Sequence, residues 1–296
     1  MTECQVGVLG ATSLVGECLL PLLTQASWRV TGYSRRVARQ AGDGVIWRRL
    51  PTSGLPSSLA PLSRGEGDLP LWICVAPIWV LPEHFTLLEE RGARRLVALS
   101  STSRFTKGDS SDQEEQAVAR RLTEAEARVQ AWAESRGVEW VVLRPTLIYG
   151  LGRDKNIAEI AHFIRRFGFF PLFGSAGGLR QPVHTRDVAG ACIAALQAPG
   201  AVNRAYNLSG GETLNYRDMV ARIFTALGLR PRLLTVPLWA FSLAVTVLRR
   251  LPRYRKWSTA MAERMSRDLV FDHAEATQDL GFKPRAFVLA AGDLPT

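Results

Sequence analysis

The sequence predicts an α/β chain built on a doubly wound parallel sheet. Three observations predict it. Strand-like and helix-like runs alternate through the first half of the chain. The strand-like runs are short and continuously apolar, as in strands buried on both faces. A glycine-rich turn, GATSLVG at 10–16, joins the first strand to the first helix.

Residues 5–9 form the first apolar strand and residues 15–25 a Leu-rich helix with Pro21 inside it. Strands follow at 29–33 and 45–50. Residues 54–67 are rich in Pro, Ser and Gly and read as a surface connection. A strand at 71–75, a helix at 80–91, a strand at 95–99 and a long helix at 112–136 come next. Asp112 can cap the long helix, and Glu115 stands three residues later, as in a capping box. Its apolar stripe of Val118, Leu122, Ala125, Val129 and Trp132 has helical spacing. A strand at 138–143 closes the alternation. After Tyr149 the pattern loosens into helices at 157–167, 187–197 and 216–227, with an aromatic, Gly-rich loop at 169–178. The expected division is a sheet domain over 1–150 and a smaller mixed lobe over 151–296, partly interleaved with it.

Composition narrows the function class. The 296 residues are 47% hydrophobic and 22% charged, which excludes a disordered chain and a small disulfide-stapled one. The net charge is +10. Only Lys107, Lys155, Lys256 and Lys283 are lysines, so arginine carries nearly all of it. Arginine suits bidentate binding of phosphate and carboxylate, although GC-rich coding gives the same bias. Cys4, Cys18, Cys74 and Cys192 are far apart and form no CxxC pair, which reads as reduced thiols of a cytosolic protein. His84, His162, His184 and His273 have no metal-ligand spacing. Glu3 interrupts any leader-like start, so no signal peptide is expected.

The turn at 10–16 carries the first functional signal. A glycine-rich turn at that place lets the backbone approach a pyrophosphate at the positive end of the helix. Glycines are usual at all three positions 10, 13 and 16, and Ser13 replaces the middle one. Its Cβ narrows the space while its hydroxyl adds a donor. The second strand ends in Tyr33-Ser34-Arg35-Arg36, with no acid to hold a ribose 2′-hydroxyl. Two arginines there suit a 2′-phosphate, so NADP(H) is expected over NAD(H).

Together the motifs resemble the extended and atypical short-chain dehydrogenases, the NAD-dependent epimerase/dehydratase family. The likeness rests on GATSLVG, VALSSTS at 97–103, VVLRPTLIYG at 141–150, RQPVHTRDVAGA at 180–191, YNLSGGETLNYRDMV at 206–220 and DLGFKP at 279–284. It implies a Rossmann-type sheet with a C-terminal substrate lobe. It also implies cofactor contacts from Gly10, Thr12, Ser13, Leu14 and Gly16, from Ser34, Arg35 and Arg36, from Ala76 and Pro77, and from Pro145. The family's chemistry needs a Ser or Thr after the fifth strand, here Thr102, with Ser101 and Ser103 as near alternatives. It also needs a Tyr and a Lys four residues apart on the long helix. Both are missing: no Tyr lies between Tyr33 and Tyr149, and no Lys between Lys107 and Lys155. One alignment puts Arg120 and Glu124 there, and a shift of two residues puts Val118 and Leu122 there. Arginine stays protonated and cannot act as a base. Glu124, or a water, is the substitute proton carrier expected from the sequence, although Arg120 and Glu124 also read as a helix-surface pair. Tyr149 is expected to pack.

The resemblance further implies that Arg180, Asn156 and Arg267, or Arg264 in its place, clamp a substrate diphosphate, as on a nucleotide- or lipid-linked sugar. The bland reading of Arg180 is a salt bridge to Asp187. Residues 233–248 form the longest uncharged apolar run, which contains Pro237 and falls short of the roughly 20 residues that span a bilayer. Arg249, Arg250, Arg253, Arg255 and Lys256 follow. Residues 233–257 therefore suit peripheral contact with an anionic membrane, or else a buried helix or homodimer contact. No nucleic-acid motif is present. Two functions follow: a cytoplasmic NADP(H)-dependent oxidoreductase of the epimerase/dehydratase type, or a non-catalytic nucleotide-binding scaffold similar to the accessory subunit of respiratory complex I or to redox-sensing regulators.

Overall fold

The computed structural model describes residues 4–35, 44–50, 68–239 and 259–295, the side chains of 259–261 excepted. β1 (Gln5–Leu9) leads through the glycine turn into α1 (Leu14–Gln25), followed by β2 (Arg29–Ser34) and β3 (Val45–Arg49). β4 (Leu71–Cys74) runs into a 3₁₀ turn, Ile78–His84, and α2 (Phe85–Glu90). β5 (Arg95–Leu99), α3 (Ser103–Thr106), α4 (Gln113–Arg136) and β6 (Glu139–Pro145) come next. After β7 (Ile148–Tyr149) come α5 (Ile157–Phe167), β8 (Phe170–Phe173), β9 (Leu179–Arg180) and β10 (Val183–His184). α6 (Thr185–Gln197), β11 (Arg204–Leu208), β12 (Leu214–Asn215) and α7 (Tyr216–Ala226) follow. β13 (Leu233–Val236), α8 (Thr259–Ser266) and α9 (Ala274–Leu280) lie nearest the C-terminus.

Seven parallel strands form the central sheet in the order β11-β6-β5-β4-β1-β2-β3. The chain fills one side of β1 with β2 and β3, then crosses to the other side with β4. A crevice opens at the carboxyl ends of β1 and β4, where the strand order reverses. This is the doubly wound, Rossmann-like sheet that the sequence predicts. Val6 and Val8 face α1 and α6 on one side, and Leu9, Leu96 and Val142 face α4 on the other. A third apolar cluster, around Ile160, Ile164, Leu172, Ile223 and Phe224, forms the core of the C-terminal lobe. β11 pairs with β6, so the sheet takes a strand from beyond residue 150.

Several expectations change. The helix expected at 80–91 divides into a 3₁₀ turn and the short α2, with Pro82 inside the turn. Proline has no N–H for the α-helical ladder. The loop expected at 169–178 contains β8, which pairs in parallel with β13. The apolar run at 233 therefore begins as a strand and not as a helix; residues 240–258, which hold the rest of that run and the basic residues after it, lie outside the described residues, as do 54–67. Asp112 does cap α4, accepting from the Glu114 amide at 2.8 Å. Glu115, however, does not return to the cap and accepts from Ser110 Oγ at 2.7 Å. Among the described residues, no helix is long and apolar enough to cross a membrane.

Two glycines are required by the backbone. Gly10 has φ +79°, and a Cβ there would lie 2.8 Å from Ala76 Cα and closer still to its amide nitrogen. A Cβ on Gly16 would lie 2.7 Å from the Ala11 carbonyl carbon. Ser13 has φ −76°, which any residue adopts. Gly16→Ala is therefore expected to cost roughly 1–3 kcal/mol through overpacking. Ser13→Gly, which loses only a cap, should cost about a few tenths. Urea unfolding of the two variants checks this; equal midpoints would contradict it.

Candidate functional site

A cleft of about 1080 Å³ opens beside the carboxyl ends of the strands. It runs from Leu14 at the start of α1, past Ser101, Thr102 and Ser103, to Asn156, Arg180, Arg264 and Arg267. Residues far apart in sequence, Thr102 and the three expected substrate residues, therefore share one cavity. The fold brings them together because β5 ends just before Thr102 while β9 and α8 close over the same end of the sheet.

The first turn of α1 fits a dinucleotide phosphate. A helix start leaves amides without intrahelical partners and carries partial positive charge. Ser13 Oγ accepts from the Gly16 amide at 3.1 Å, capping the helix without projecting into the crevice as a longer side chain would. Thr12 is exposed, and its Oγ1 lies 3.3 Å from Ser34 Oγ. Arg35 is exposed at the end of β2, and Arg36 lies outside the described residues. Ala76 is half-buried and Pro77 exposed just beyond β4, on the other wall of the crevice. The missing Cβ of Gly10 is what lets these two walls approach. When bound, a nicotinamide dinucleotide supplies a hydride acceptor to such a crevice.

Thr102 is buried, and its amide and Oγ1 both donate to the carbonyl of Pro145, at 3.1 and 3.3 Å. Its hydroxyl proton is thus engaged, leaving its lone pairs to accept from a ligand. Pro145 itself is buried. Ser101 Oγ accepts from the Ser103 amide at 3.1 Å.

Glu124 does not reach this site. It and Arg120 lie on the exposed face of α4, and neither lines the cleft. No ion pair joins them among the described residues. The inward face of α4 instead carries Glu115, Val118, Leu122 and Glu126. The register that faces inward is the one two residues earlier, where Leu122 is buried and Val118 packs against the same core. Of the two registers offered by the sequence, this one places apolar packing, Val118 and Leu122, on the inward face of α4. Tyr149 is wholly buried between His184 and Phe287, with its hydroxyl on the Val288 carbonyl at 3.4 Å. Burial pushes that hydroxyl up to about 12. It is a packing residue, as expected. His184 is likewise fixed: its Nδ1 accepts from the Arg186 amide at 3.1 Å and its Nε2 faces Asp293 at 3.0 Å.

The clamp residues differ in availability. Arg180 is only 4% exposed and donates to the carbonyls of Leu179 and Arg267 at 2.8 Å and to that of Arg264. It makes no pair with Asp187, which binds Arg285 at 2.7 Å. Arg180 therefore fastens the end of α8 over the cleft, stacked against Tyr216. Burial pulls its guanidinium down to about 10. Arg267 is exposed and donates to the Thr106 carbonyl at 3.2 Å. Asn156 is exposed at the start of α5, where Asp154 rather than Asn156 caps the helix. Its side chain is left to face the cleft.

Sequence reasoning missed one buried carboxylate, Glu126, and gave another, Glu115, a capping role in place of a buried one. Glu126 is 5% exposed and receives Ser100, Arg104 and Arg144, the last at 2.7 Å. This pins α4 to the ends of β5 and β6, under the floor of the cleft. Glu115 is 8% exposed and faces Lys107 at 3.9 Å and Arg264 at 2.7 Å. Acids inside an amphipathic helix with many charges gave no local sign of which ones turn inward.

The chain resembles known proteins in part of its sequence and in its fold. Residues 85–209 match the model of the NAD dependent epimerase/dehydratase family, the family to which the motifs pointed. The chain is similar to UDP-glucose 4-epimerase of Vibrio cholerae, 24% identical over 162 residues, or 55% of this chain and 47% of that protein. It is also similar to NADH dehydrogenase (ubiquinone) 1 alpha subcomplex subunit 9 of Arabidopsis thaliana, 26% identical over 118 residues. That match covers 40% of this chain and 29% of the plant protein. The chain thus spans less than half the length of these two relatives. In fold it resembles UDP-glucuronic acid 4-epimerase from Bacillus cereus, solved with UDP-glucuronic acid and NAD. The TM-score is 0.70 at 12% identity, over 98% of this chain and 96% of that one.

Glu126→Gln is expected to lower stability by about 2–3 kcal/mol, less than for a fully buried pair because both arginines reach solvent. Glu124→Gln should stay within about 0.5 kcal/mol. Thermal unfolding separates the two, and a comparable loss in both would contradict an α4 that turns Glu126 inward and Glu124 outward.

Proposed function

We propose that the protein is an NAD(P)-dependent oxidoreductase acting on a sugar linked to a diphosphate. One observation carries the reading: a single cleft joins the start of α1, Thr102 and the exposed Asn156 and Arg267. A redox cofactor held at α1 and an anionic substrate held by the lobe would meet beside Thr102. The chain's part is then to bind the diphosphate with Arg267 and Asn156, to place the reacting hydroxyl beside Thr102, and to move its proton. Arg180 holds α8 in place, so its role is to position the clamp. NADP(H) is favoured over NAD(H) by Arg35, exposed at the end of β2 with no acid beside it in the described residues.

A second reading has its own support. Val118 and Leu122 fill the expected catalytic positions, and the plant relative is a subunit of a larger dehydrogenase by name. A nucleotide-binding subunit without turnover would carry the same fold and the same crevice.

Fluorescence titration tests the proposal. NADPH should bind about tenfold tighter than NADH, and Arg35→Ser should erase the difference. Tighter binding of NADH would remove the 2′-phosphate assignment. UDP-glucose, used as the diphosphate probe, should bind about tenfold more weakly to Arg267→Ala with the melting temperature unchanged. Binding of cofactor with no binding of UDP-glucose would favour the second reading.

A further inference from the structure

The groups that line the cleft can be sorted by whether their chemistry lets them move a proton. Among the described residues, no Tyr, His or Cys lines it. Its arginines stay charged near neutral pH. Asp154 is buried and accepts from the amides of Asn156 and Ile157, at 2.9 and 2.6 Å, which commits it to the start of α5. Glu263 is exposed and accepts from Ser111 at 3.1 Å. Asp109 and Lys155 are exposed. Glu115 is buried and already matched by Ser110, Lys107 and Arg264.

Lys107 differs from all of these. It caps α3, the helix that begins immediately after Thr102, and its amide donates to the Ser103 carbonyl at 3.1 Å. Its side chain is 26% exposed, at the cleft wall. The groups facing it are Glu115 and Asp112 from the start of α4 and Arg264 from α8. Burial pulls the amine below the usual lysine range; Glu115 and Asp112 oppose the shift and Arg264 adds to it. An amine that deprotonates nearer neutrality is a competent base, and its ammonium form a competent acid.

We propose that Lys107 is the proton carrier of this cleft and that Glu115 steadies its ammonium form. The proposal rests on the oxidoreductase reading above. In the oxidative direction, the O–H bond of the substrate hydroxyl breaks and its proton goes to Lys107 Nζ. The same carbon gives up a hydride to the nicotinamide dinucleotide, and C–O becomes C=O. In the reductive direction the Lys107 ammonium returns the proton to the carbonyl oxygen. The oxidative rate therefore rises with pH as Lys107 loses its proton. A lysine on the loop before α4 thus takes over a task that the helix itself no longer performs.

The chain's four lysines make the test tractable. Carbon-13 reductive methylation of the full-length protein, followed by NMR titration, reads each lysine separately. The signal lost in Lys107→Arg identifies Lys107. It should titrate below the usual lysine range, and Glu115→Gln should move it lower still. In parallel, Lys107→Gln should keep NADH binding but lose roughly 100-fold in NADH formation from NAD⁺ and UDP-glucose. Lys107→Arg should fail to restore it, because a guanidinium does not release its proton. A Lys107 signal that titrates at or above the usual lysine range, or a Lys107→Gln variant within about threefold of the wild-type rate, overturns the assignment. Failure of the wild-type chain to bind either NADPH or NADH, together with failure to bind UDP-glucose, would instead overturn the oxidoreductase reading itself.

Discussion

The close approach of two backbones at the centre of the sheet governs the rest of the molecule. Gly10 leaves β1 with a positive φ, against the residue that follows β4 by two positions. No side chain fits between them. The chain crosses the sheet between these strands, so this contact also sets where the crevice opens. α1 is then seated by Gly16 against Ala11, which points its first turn into the same crevice. A helix start with unpaired amides beside a narrow backbone passage is suited to phosphate. Ser13 is compatible with that role because its hydroxyl turns back to cap the helix.

The second half of the site depends on ties across the cleft. Arg180 holds the carbonyls at the end of α8, Arg264 reaches Glu115 on α4, and Arg267 reaches the Thr106 carbonyl. These bonds bring the C-terminal lobe over the loop that carries Thr102 and Lys107. Glu126 supports the same loop from beneath through Ser100 and Arg104. The inward positions of α4 are thus divided between apolar packing and buried charge. Lys107, Asp109 and Glu115 line the cleft at the α3–α4 junction.

Much of this architecture was legible in the sequence. Continuous apolar runs of four to six residues mark the buried parallel strands, and the turn at 10–16 marks the crevice. Asn156, Arg180 and Arg267, which family likeness put forward as a clamp, line one cavity. Other features depend on contacts that leave no local trace. β8 exists because Phe170 meets Leu233, a partner 63 residues away. Arg120 and Glu124 sit at the same i,i+4 spacing as Val118 and Leu122, so spacing alone cannot choose the register. Only packing shows that the second pair faces the core. Lys107 and Glu115 are near one another in sequence, but their common burial comes from α8, about 150 residues later.

Hydrogen exchange with and without saturating NADH tests the dinucleotide crevice most directly, because it locates binding on the chain. Added protection is expected at residues 9–17 and 74–78, the two walls of the crevice, and across 100–107. The β8–β13 pair, outside the crevice, should exchange as before. Protection confined to the C-terminal lobe, or none at either wall under conditions where NADH binds, would contradict a dinucleotide site at the start of α1.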